Sequence, residues 1–286
     1  MLVRTTCRAV LPFLIASISC QAQQSTLTVD AVLSRVQEHL VEYKTSVPSF
    51  VSDESRLSQR FVNEKLKDEV KIESSFEVKR RGAGEDMRET RTAKLVNGKV
   101  AKSQKISMPY FVNGGVGLQT SLQTNLQTNL ANRCFDFHFA DVPSTGNIIV
   151  IQSSPKPASS DHPSDCPSPS SNYSIKANID PQTFQVSRIE TTFDTKVNLG
   201  KVGHPALVPS HRSDNNNTMI IDVDYAPVEL GTKKTYWLTK TVTSEWKDND
   251  DRKNPVHLHY EAHYSNYHKF TSTVTILPGD PVTTQN

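Results

Sequence analysis

Residues 219–246 read MIIDVDYAPVELGTKKTYWLTKTVTSEW, and this stretch decides the fold class. Apolar and polar side chains alternate in its two halves, and a period of two residues is the period of a β-strand with one buried face. Alternation of this kind predicts strands of an antiparallel sheet that has one side in water. The predicted inward side chains are Met219, Ile221, Val223, Tyr225, Tyr236, Leu238, Val242 and Trp246, and the predicted outward threonines are Thr239, Thr241 and Thr243.

The same alternation extends the predicted sheet along most of the chain. It recurs in residues 72–78 and in two segments, 175–179 and 184–189, that Asp180-Pro181 separates. Asn97-Gly98 lies between two short apolar segments and is typical of a two-residue hairpin turn, because both turn positions need a positive φ. These signals predict a meander of long antiparallel strands.

A helix is predicted before the first strands. From Thr28 onward the apolar residues recur at spacings of three and four, which places them on one side of a helix. Thr28 is suited to cap the helix N-terminus, and Pro48 limits the other end. Because the charged residues of the opposite side are mixed in sign, we expect this helix to pack on the sheet rather than on a membrane. The apolar side comprises Val29, Val32, Leu33, Val36, Leu40, Tyr43 and Val47.

Two compositionally biased segments interrupt the strands. Between Gly114 and Arg133 leucine recurs every four residues in the repeat LQTSLQTNLQTNL, which predicts a second helix, although a recent repeat expansion with little structural meaning would look the same. The Ser/Pro-rich segment 153–171 predicts a loop, since it cannot form a packed core. Residues 200–217 and 247–255 are also predicted loops. No break resembles a domain linker, so residues 23–286 are predicted to form a single β-rich domain.

The first 22 residues have the features of a secretory signal peptide: Arg4 and Arg8, an apolar stretch to Ile18, and small residues before Gln23. The apolar stretch is about 10 residues, too short to span a bilayer, and no later segment approaches the ~20 residues required. We expect cleavage after Ala22 and a periplasmic or secreted protein. The alternative is lipidation of Cys20.

Removal of residues 1–22 would leave two cysteines, Cys134 and Cys166. In an exported chain a disulfide between them is the expected state, and two free thiols are the alternative. The 32 basic and 30 acidic residues of the whole chain give a net charge of only +2, which argues against binding to nucleic acid. No cofactor is predicted, because the common nucleotide-binding, hydrolase and zinc motifs are absent from the sequence.

One segment carries residues suited to a metal ion. His257, His259, Glu261 and His263 occupy alternate positions, so they share one face of the predicted strand, while Leu258, Tyr260, Ala262 and Tyr264 share the other. Imidazoles and a carboxylate are ligands of divalent metals in proteins. The alternative is that these polar residues simply form the face in water.

The aromatic residues of the last third of the chain suggest a binding surface. Ordinary packing of a sheet is one interpretation, and a concave surface for an apolar or sugar ligand is the other. The candidate ligand-binding residues on the apolar side are Tyr236, Leu238, Trp246, Tyr260 and Tyr264.

The order of these elements resembles the LolA/LolB-like periplasmic fold. The resemblance lies in the N-terminal amphipathic helix and in the long strands around IDPQTFQVSRIE and YAPVELGTKKTYWLTKTVTSEW. The helix followed by VPSFVSDESRLSQRF is also similar to uncharacterised exported bacterial proteins. The resemblance implies an incomplete β-barrel that wraps helices and leaves an apolar cavity for acyl chains. The Ser/Pro-rich insertion and the LQT repeat depart from the family pattern.

The fold class that we predict is therefore α+β and mostly β: a curved antiparallel sheet or incomplete β-barrel with an N-terminal amphipathic helix and a second helix. The leading functional hypothesis is a non-catalytic envelope protein that binds an apolar small molecule or lipid. The alternatives are an envelope scaffold or protein-interaction module and, third, a metal-dependent enzyme that uses the histidine-bearing strand.

Overall fold

The computed structural model describes residues 27–80, 87–103, 135–140, 148–156, 173–194, 196–198, 206–208, 218–231, 234–247 and 255–270. The predicted signal peptide, both cysteines of the predicted disulfide and the LQT repeat lie outside these residues. The elements in chain order are α1 (Val29–Ser46), β1 (Phe50–Val62), β2 (Lys65–Arg80), β3 (Met87–Val96), β4 (Lys99–Val100), β5 (Phe135–Phe139), β6 (Ile149–Pro155), β7 (Ser174–Ile179), β8 (Val186–Asp194), β9 (Lys196–Asn198), β10 (Ala206–Val208), β11 (Thr218–Glu229), β12 (Thr235–Lys247) and β13 (Val256–Lys269).

The N-terminal helix forms where the spacing of apolar residues predicts it. Thr28 caps it as expected: the backbone N–H of Ala31 donates to Thr28 Oγ1 at 3.2 Å. Val32, Val36 and Leu40 lie on its buried side. The helix ends at Ser46, before Pro48.

Three polar contacts fix α1 to the sheet. Gln185 Nε2 lies 3.0 Å from His39 Nδ1, and Lys234 donates to Glu42 Oε1 at 2.6 Å. The guanidinium of Arg35 lies 5.9 Å from the ring centroid of Phe184. The helix therefore lies beside the turn between β7 and β8 and beside the residue that precedes β12.

Within the described residues the main sheet has eleven strands, and all of its neighbouring strands are antiparallel. Its order is β4-β3-β2-β1-β13-β12-β11-β8-β7-β6-β5, so the first long strand pairs with the last. The predicted meander is therefore interrupted at two places in this order, at the β1–β13 pair and at the β8–β11 pair, where β9 and β10 form a separate two-stranded sheet. The end strands β4 and β5 do not pair with each other, so the sheet formed by the strands that the structure describes is open. The predicted fold class, mostly β with an antiparallel sheet and an N-terminal helix, is confirmed.

Turn chemistry accounts for the connections between neighbouring strands. Asn97 and Gly98 have φ values of 48° and 75°, as the predicted two-residue turn between β3 and β4 requires. Between β7 and β8, the side chain of Asp180 accepts hydrogen bonds from the backbone N–H groups of Gln182 and Thr183. Both turn predictions are confirmed.

One face of the main sheet is buried, and we call it the inner face. The predicted alternation is confirmed in β2 and β11, where Ile72, Phe76, Ile221 and Val223 are buried. The prediction for Thr239 is wrong, since this residue is only 2% exposed. A β-bulge in the β11–β12 pair places one extra residue in β12, between Thr239 and Thr241. Because successive residues of a strand point to opposite faces, the residues of β12 before the bulge point to the face opposite to the one that the alternation predicts.

Two predicted loops begin or extend differently in the structure. Residues 153–155 belong to β6, so the prediction of a loop over 153–171 is wrong for these three residues, and residues 157–171 lie outside the described part of the chain. Ser153 is buried, and its Oγ accepts a hydrogen bond from the backbone N–H of Ile175 at 2.8 Å. The short strand β10 lies inside the predicted loop 200–217 and pairs with β9.

Candidate functional site

Three of the predicted ligand-binding residues are close together on the inner face. Trp246 of β12 pairs with Leu258 of β13, and Tyr260 and Tyr264 follow on alternate positions of β13. Trp246, Tyr260 and Tyr264 are 3%, 6% and 7% exposed. These residues therefore form an aromatic strip along two neighbouring strands of the sheet.

The other two predicted residues lie elsewhere. Leu238 is buried and Tyr236 is half-buried, and both lie beyond the bulge, where β12 pairs with Ala226 and Val228 of β11. Trp246 and Leu238 are separated by eight residues, about 26 Å of strand. The five residues predicted as one ligand surface are not gathered at one place.

The aromatic strip continues onto the strands beside β13. The ring of Tyr264 meets the edge of the Phe76 ring at a centroid distance of 5.4 Å. Phe76 in turn contacts Phe50 at 6.3 Å, and Phe50 contacts Tyr267 at 5.5 Å. These contacts join aromatic side chains of β13, β1 and β2 on the inner face.

Charged and polar residues lie within this buried surface, and the sequence analysis missed them. Ser52, Glu54, Arg56 and Ser58 are the inward residues of β1, and each is at least 93% buried. The strand FVSDESRLSQRFV carries polar residues on both faces, so its alternation gives no sign of which face is inside. An unbroken row of polar residues at every second position predicts a face in water, so no local signal in the sequence indicates that these residues are buried.

Glu54 is at the centre of a buried ion-pair cluster. Arg91 Nε donates to Glu54 Oε1 at 2.7 Å, and Arg56 Nε lies 3.1 Å from Glu54 Oε2. Arg91 also approaches Glu89 at 3.5 Å, and Arg56 donates to Ser74 Oγ at 3.2 Å. We call Glu54, Arg56, Glu89 and Arg91 the inner ion cluster. Its two carboxylates and two guanidiniums balance in charge.

Protonation in this region follows from burial and from the cluster. Burial disfavours the charge on Arg91, but the negative charges around it, first that of Glu54 and also that of Glu89, and the hydrogen bond to Glu54 together raise the pKa of Arg91. Burial also raises the pKa of Tyr260 and Tyr264, and the negative charge of Glu54 raises both further. Both phenols therefore stay neutral and can donate hydrogen bonds, and Arg91 keeps its charge.

Arg91 is also held by the aromatic surface. Its guanidinium carbon lies 4.5 Å from the centroid of the Phe76 ring, within the range of a cation–π interaction. Phe76 and Arg91 are direct partners on β2 and β3. Phe76 therefore contacts both Arg91 of the inner ion cluster and Tyr264 of the aromatic strip.

The predicted metal ligands lie on the opposite, outer face of β13, as the alternation predicts. His257 and His259 both contact Glu245 of β12, with His259 Nδ1 at 2.6 Å from Glu245 Oε1. His263 instead pairs with Glu261, at 2.7 Å. The four predicted residues are thus divided between two contacts. In the part of the chain that the structure describes, no group of three His, Cys, Asp or Glu side chains is arranged to hold a metal ion.

The histidine contacts also shift protonation. Burial raises the pKa of Glu245, but hydrogen bonds from His259 and His257 outweigh it, so the pKa of Glu245 is lowered. The same hydrogen bond to Glu245 raises the pKa of His259. The arrangement favours an ion pair between His259 and Glu245 on the outer face.

A cleft lies between α1 and β5, apart from the predicted ligand residues. Its volume is about 570 Å³, within the range of small-molecule pockets. Phe135 forms a buried apolar wall, and Lys156 approaches Asp136 at 3.9 Å. The lining residues are Asp30, Leu33, Ser34, Gln37, Phe135, Asp136, Phe137 and Lys156. The described residues include no helix with the length and apolar character needed to cross a membrane.

The sequence matches no family model and no curated protein. Solved structures similar to this chain include a DUF1329 family protein from Desulfovibrio piger, with 11% identity, a TM-score of 0.36, and coverage of 87% of this chain and 96% of that one. A LolA superfamily protein from Nitrosomonas europaea has 10% identity, a TM-score of 0.29, and coverage of 86% and 96%. The complex of MucA and MucB from Pseudomonas aeruginosa has 9% identity, a TM-score of 0.19, and coverage of 82% and 94%. One of these similar structures is thus a member of the LolA superfamily, the group that the sequence resembles.

Proposed function

We propose that this chain is an exported protein of the cell envelope that binds an apolar ligand or lipid on the inner face of its sheet, without catalysing a reaction. The binding residues in this proposal are Trp246, Tyr260 and Tyr264. Leu238 and Tyr236 lie beyond the bulge in β12, where the facing is reversed, and are not part of the proposed site. The export step rests on the signal-like first 22 residues. The periplasm or the extracellular space is the corresponding location.

The observation that carries the proposal is the indole N–H of Trp246. Trp246 is 3% exposed, and within the described residues its Nε1 atom is buried without a hydrogen-bond acceptor. A buried donor without a partner costs about 1–3 kcal/mol. A ligand that lies along the aromatic strip with an oxygen acceptor near Trp246 would remove that cost.

The dimensions of the strip suit a long apolar chain. Leu258, the partner of Trp246, and Tyr264 are six residues apart, about 20 Å along β13. One leaflet of a bilayer's hydrocarbon core is about 15 Å thick, so the length of the strip is comparable with that of a single acyl chain. Apolar walls with a few polar groups are the usual composition of ligand sites.

Uptake of the uncharged dye N-phenyl-1-naphthylamine by the mature protein tests the proposal. We expect saturable uptake, which is weakened when Trp246→Ala removes the largest side chain of the strip. His259→Ala is the matched control, since His259 lies on the outer face of the neighbouring strand. The proposal fails if the dye is not taken up, or if the two variants and the unmodified protein take it up equally.

A second candidate function is a protein-interaction module, and the cleft between α1 and β5 favours it. β5 is an end strand of the sheet, and Phe135 and Phe137 give the cleft an apolar wall beside the charged Asp30 and Lys156. A photo-cross-linking amino acid at Ser34 would test it in intact cells. One discrete cross-linked protein supports this function, and the absence of any adduct opposes it.

A further inference from the structure

We propose that the inner ion cluster is a subsite for an uncharged, hydrogen-bonding head group of the bound ligand, such as the hydroxyls of a glycerol or the amide of an acylated amine. This inference rests on the proposed function, because it assumes that an apolar chain lies along the aromatic strip. It specifies the ligand as an amphiphile with a neutral polar end at the cluster, about 20 Å along β13 from the oxygen acceptor that is proposed near Trp246.

The first argument is the location of the charges. Glu54 and Arg56 lie on the inner face, 2% and 7% exposed, directly beside Tyr264 and Ala262 of β13. Ion pairs buried at this depth are often no better for stability than well-packed apolar side chains. The position of the cluster at one end of the aromatic strip is the position that the polar end of an amphiphile would need.

The second argument is an unsatisfied donor beside an unsatisfied acceptor. Arg56 Nε and Glu54 Oε2 are 3.1 Å apart, yet within the described residues neither atom has a hydrogen-bond partner, because they are not aligned with each other. A group that both donates and accepts can satisfy the two atoms at once. Hydroxyl and amide groups do this, whereas a carboxylate only accepts and an ammonium only donates.

The third argument is the charge balance of the cluster. Glu54 and Glu89 are balanced by Arg56 and Arg91, which they contact. A head group that carries a net charge would therefore be buried without a net opposite charge, and burying an unpaired charge is costly. The cluster discriminates against both anionic and cationic amphiphiles and accepts a neutral polar one.

The test compares three amphiphiles that have the same chain of about sixteen carbons, whose extended length is about the thickness of one leaflet. They are 1-monopalmitoylglycerol, palmitate and hexadecylammonium. Each is used below its critical micelle concentration to displace N-phenyl-1-naphthylamine from the unmodified protein. We expect the glycerol ester to displace the dye at a concentration roughly tenfold lower than either charged compound requires. This difference is the effect of about one additional satisfied hydrogen bond. Equal displacement by all three would overturn the head-group inference.

Two variants then ask whether the preference follows the charge of the cluster. Glu54→Gln leaves one excess positive charge, so palmitate should gain on the glycerol ester; Arg56→Met leaves one excess negative charge, so the ammonium compound should gain. Asp53→Asn is the matched control, because Asp53 lies next to Glu54 on β1 but pairs with Lys94 in solvent. An unchanged ranking in both folded variants would overturn the inference.

The outcomes separate the two proposals. If the dye itself is not taken up by the unmodified protein, the proposed function fails. If the dye is taken up and the three head groups compete equally, only the head-group inference fails. The comparison on the unmodified protein needs no variant, so it decides the question even if a substitution in the cluster prevents folding.

Discussion

Replacing Arg91 by methionine should destabilise the protein more than any single change of an outer-face charge. Methionine keeps much of the unbranched stem of the side chain but removes its charge. Glu54 would then lose its 2.7 Å charge-assisted hydrogen bond from Arg91, and Glu89 its 3.5 Å contact. Breaking one partner of a buried ion pair typically costs about 3–5 kcal/mol, because the other charge remains buried.

The cation–π contact adds to this cost. Arg91 is 15% exposed at its side chain and lies 4.5 Å from the Phe76 centroid. Such contacts contribute up to about 2 kcal/mol when the cation is removed from water. Because Arg56 stays beside Glu54 and compensates part of its charge, we expect a total loss of about 3–5 kcal/mol rather than the sum of both contributions.

Urea unfolding of the mature protein, followed by circular dichroism, measures this loss. Lys94→Met is the matched control on the same strand: Lys94 pairs with Asp53 on the outer face, its side chain is 54% exposed, and exposed pairs contribute about 0–1 kcal/mol. The urea midpoint should fall strongly for Arg91→Met and little for Lys94→Met, with an unchanged m-value. A free energy of unfolding for Arg91→Met within about 1 kcal/mol of the control would refute the argument that the cluster is buried and coupled.

The remaining predictions concern pH, the disulfide and export. The raised pKa of His259 stabilises the folded protein below pH 6.5, the pKa of the unfolded chain, and this stabilisation is lost as pH rises through the folded pKa. The lowered pKa of Glu245 stabilises the folded protein above pH 4.5, and this stabilisation is lost as pH falls through the folded pKa. Between pH 4.5 and 6.5 this pair should therefore raise the Tm, and His259→Gln should remove that increase. An identical pH profile of the Tm for the variant and the unmodified protein would contradict this prediction. Cys134 and Cys166 should be joined, and the cross-link should stabilise the chain by about 3–4 kcal/mol; non-reducing peptide mapping that finds two alkylatable thiols would exclude the bond. The mature chain should begin at Gln23, and an intact mass that includes a lipidated Cys20 would show this to be wrong.

Local features of the fold were predictable because each depends on a few neighbouring residues. The cap at Thr28, the turn at Asn97-Gly98 and the two faces of β13 follow from side-chain chemistry and periodicity. The reversal at Thr239 was not predictable, since a bulge depends on how two strands pair. The turn at Asn63 and Glu64 has φ values of 51° and 61°, and glutamate is an uncommon residue for that conformation.

The candidate site was predicted only in its apolar part. Trp246, Tyr260 and Tyr264 were placed on the buried face by alternation, and the structure puts them there. The charged part depends on β1, whose two faces are both polar, and on its pairing with β13 at the far end of the chain. Pairing over such a distance is set by the whole sheet and leaves no local pattern in the sequence.

Native mass spectrometry of the protein purified from its own cell envelope tests the central claim most directly. The claim is that the inner face binds an apolar ligand, so we expect the mass of the mature chain plus a discrete lipid-sized increment, which is lost on denaturation and reduced in Trp246→Ala. The mass of the bare chain alone, or of the chain with only a stoichiometric metal ion or protein partner, would contradict it.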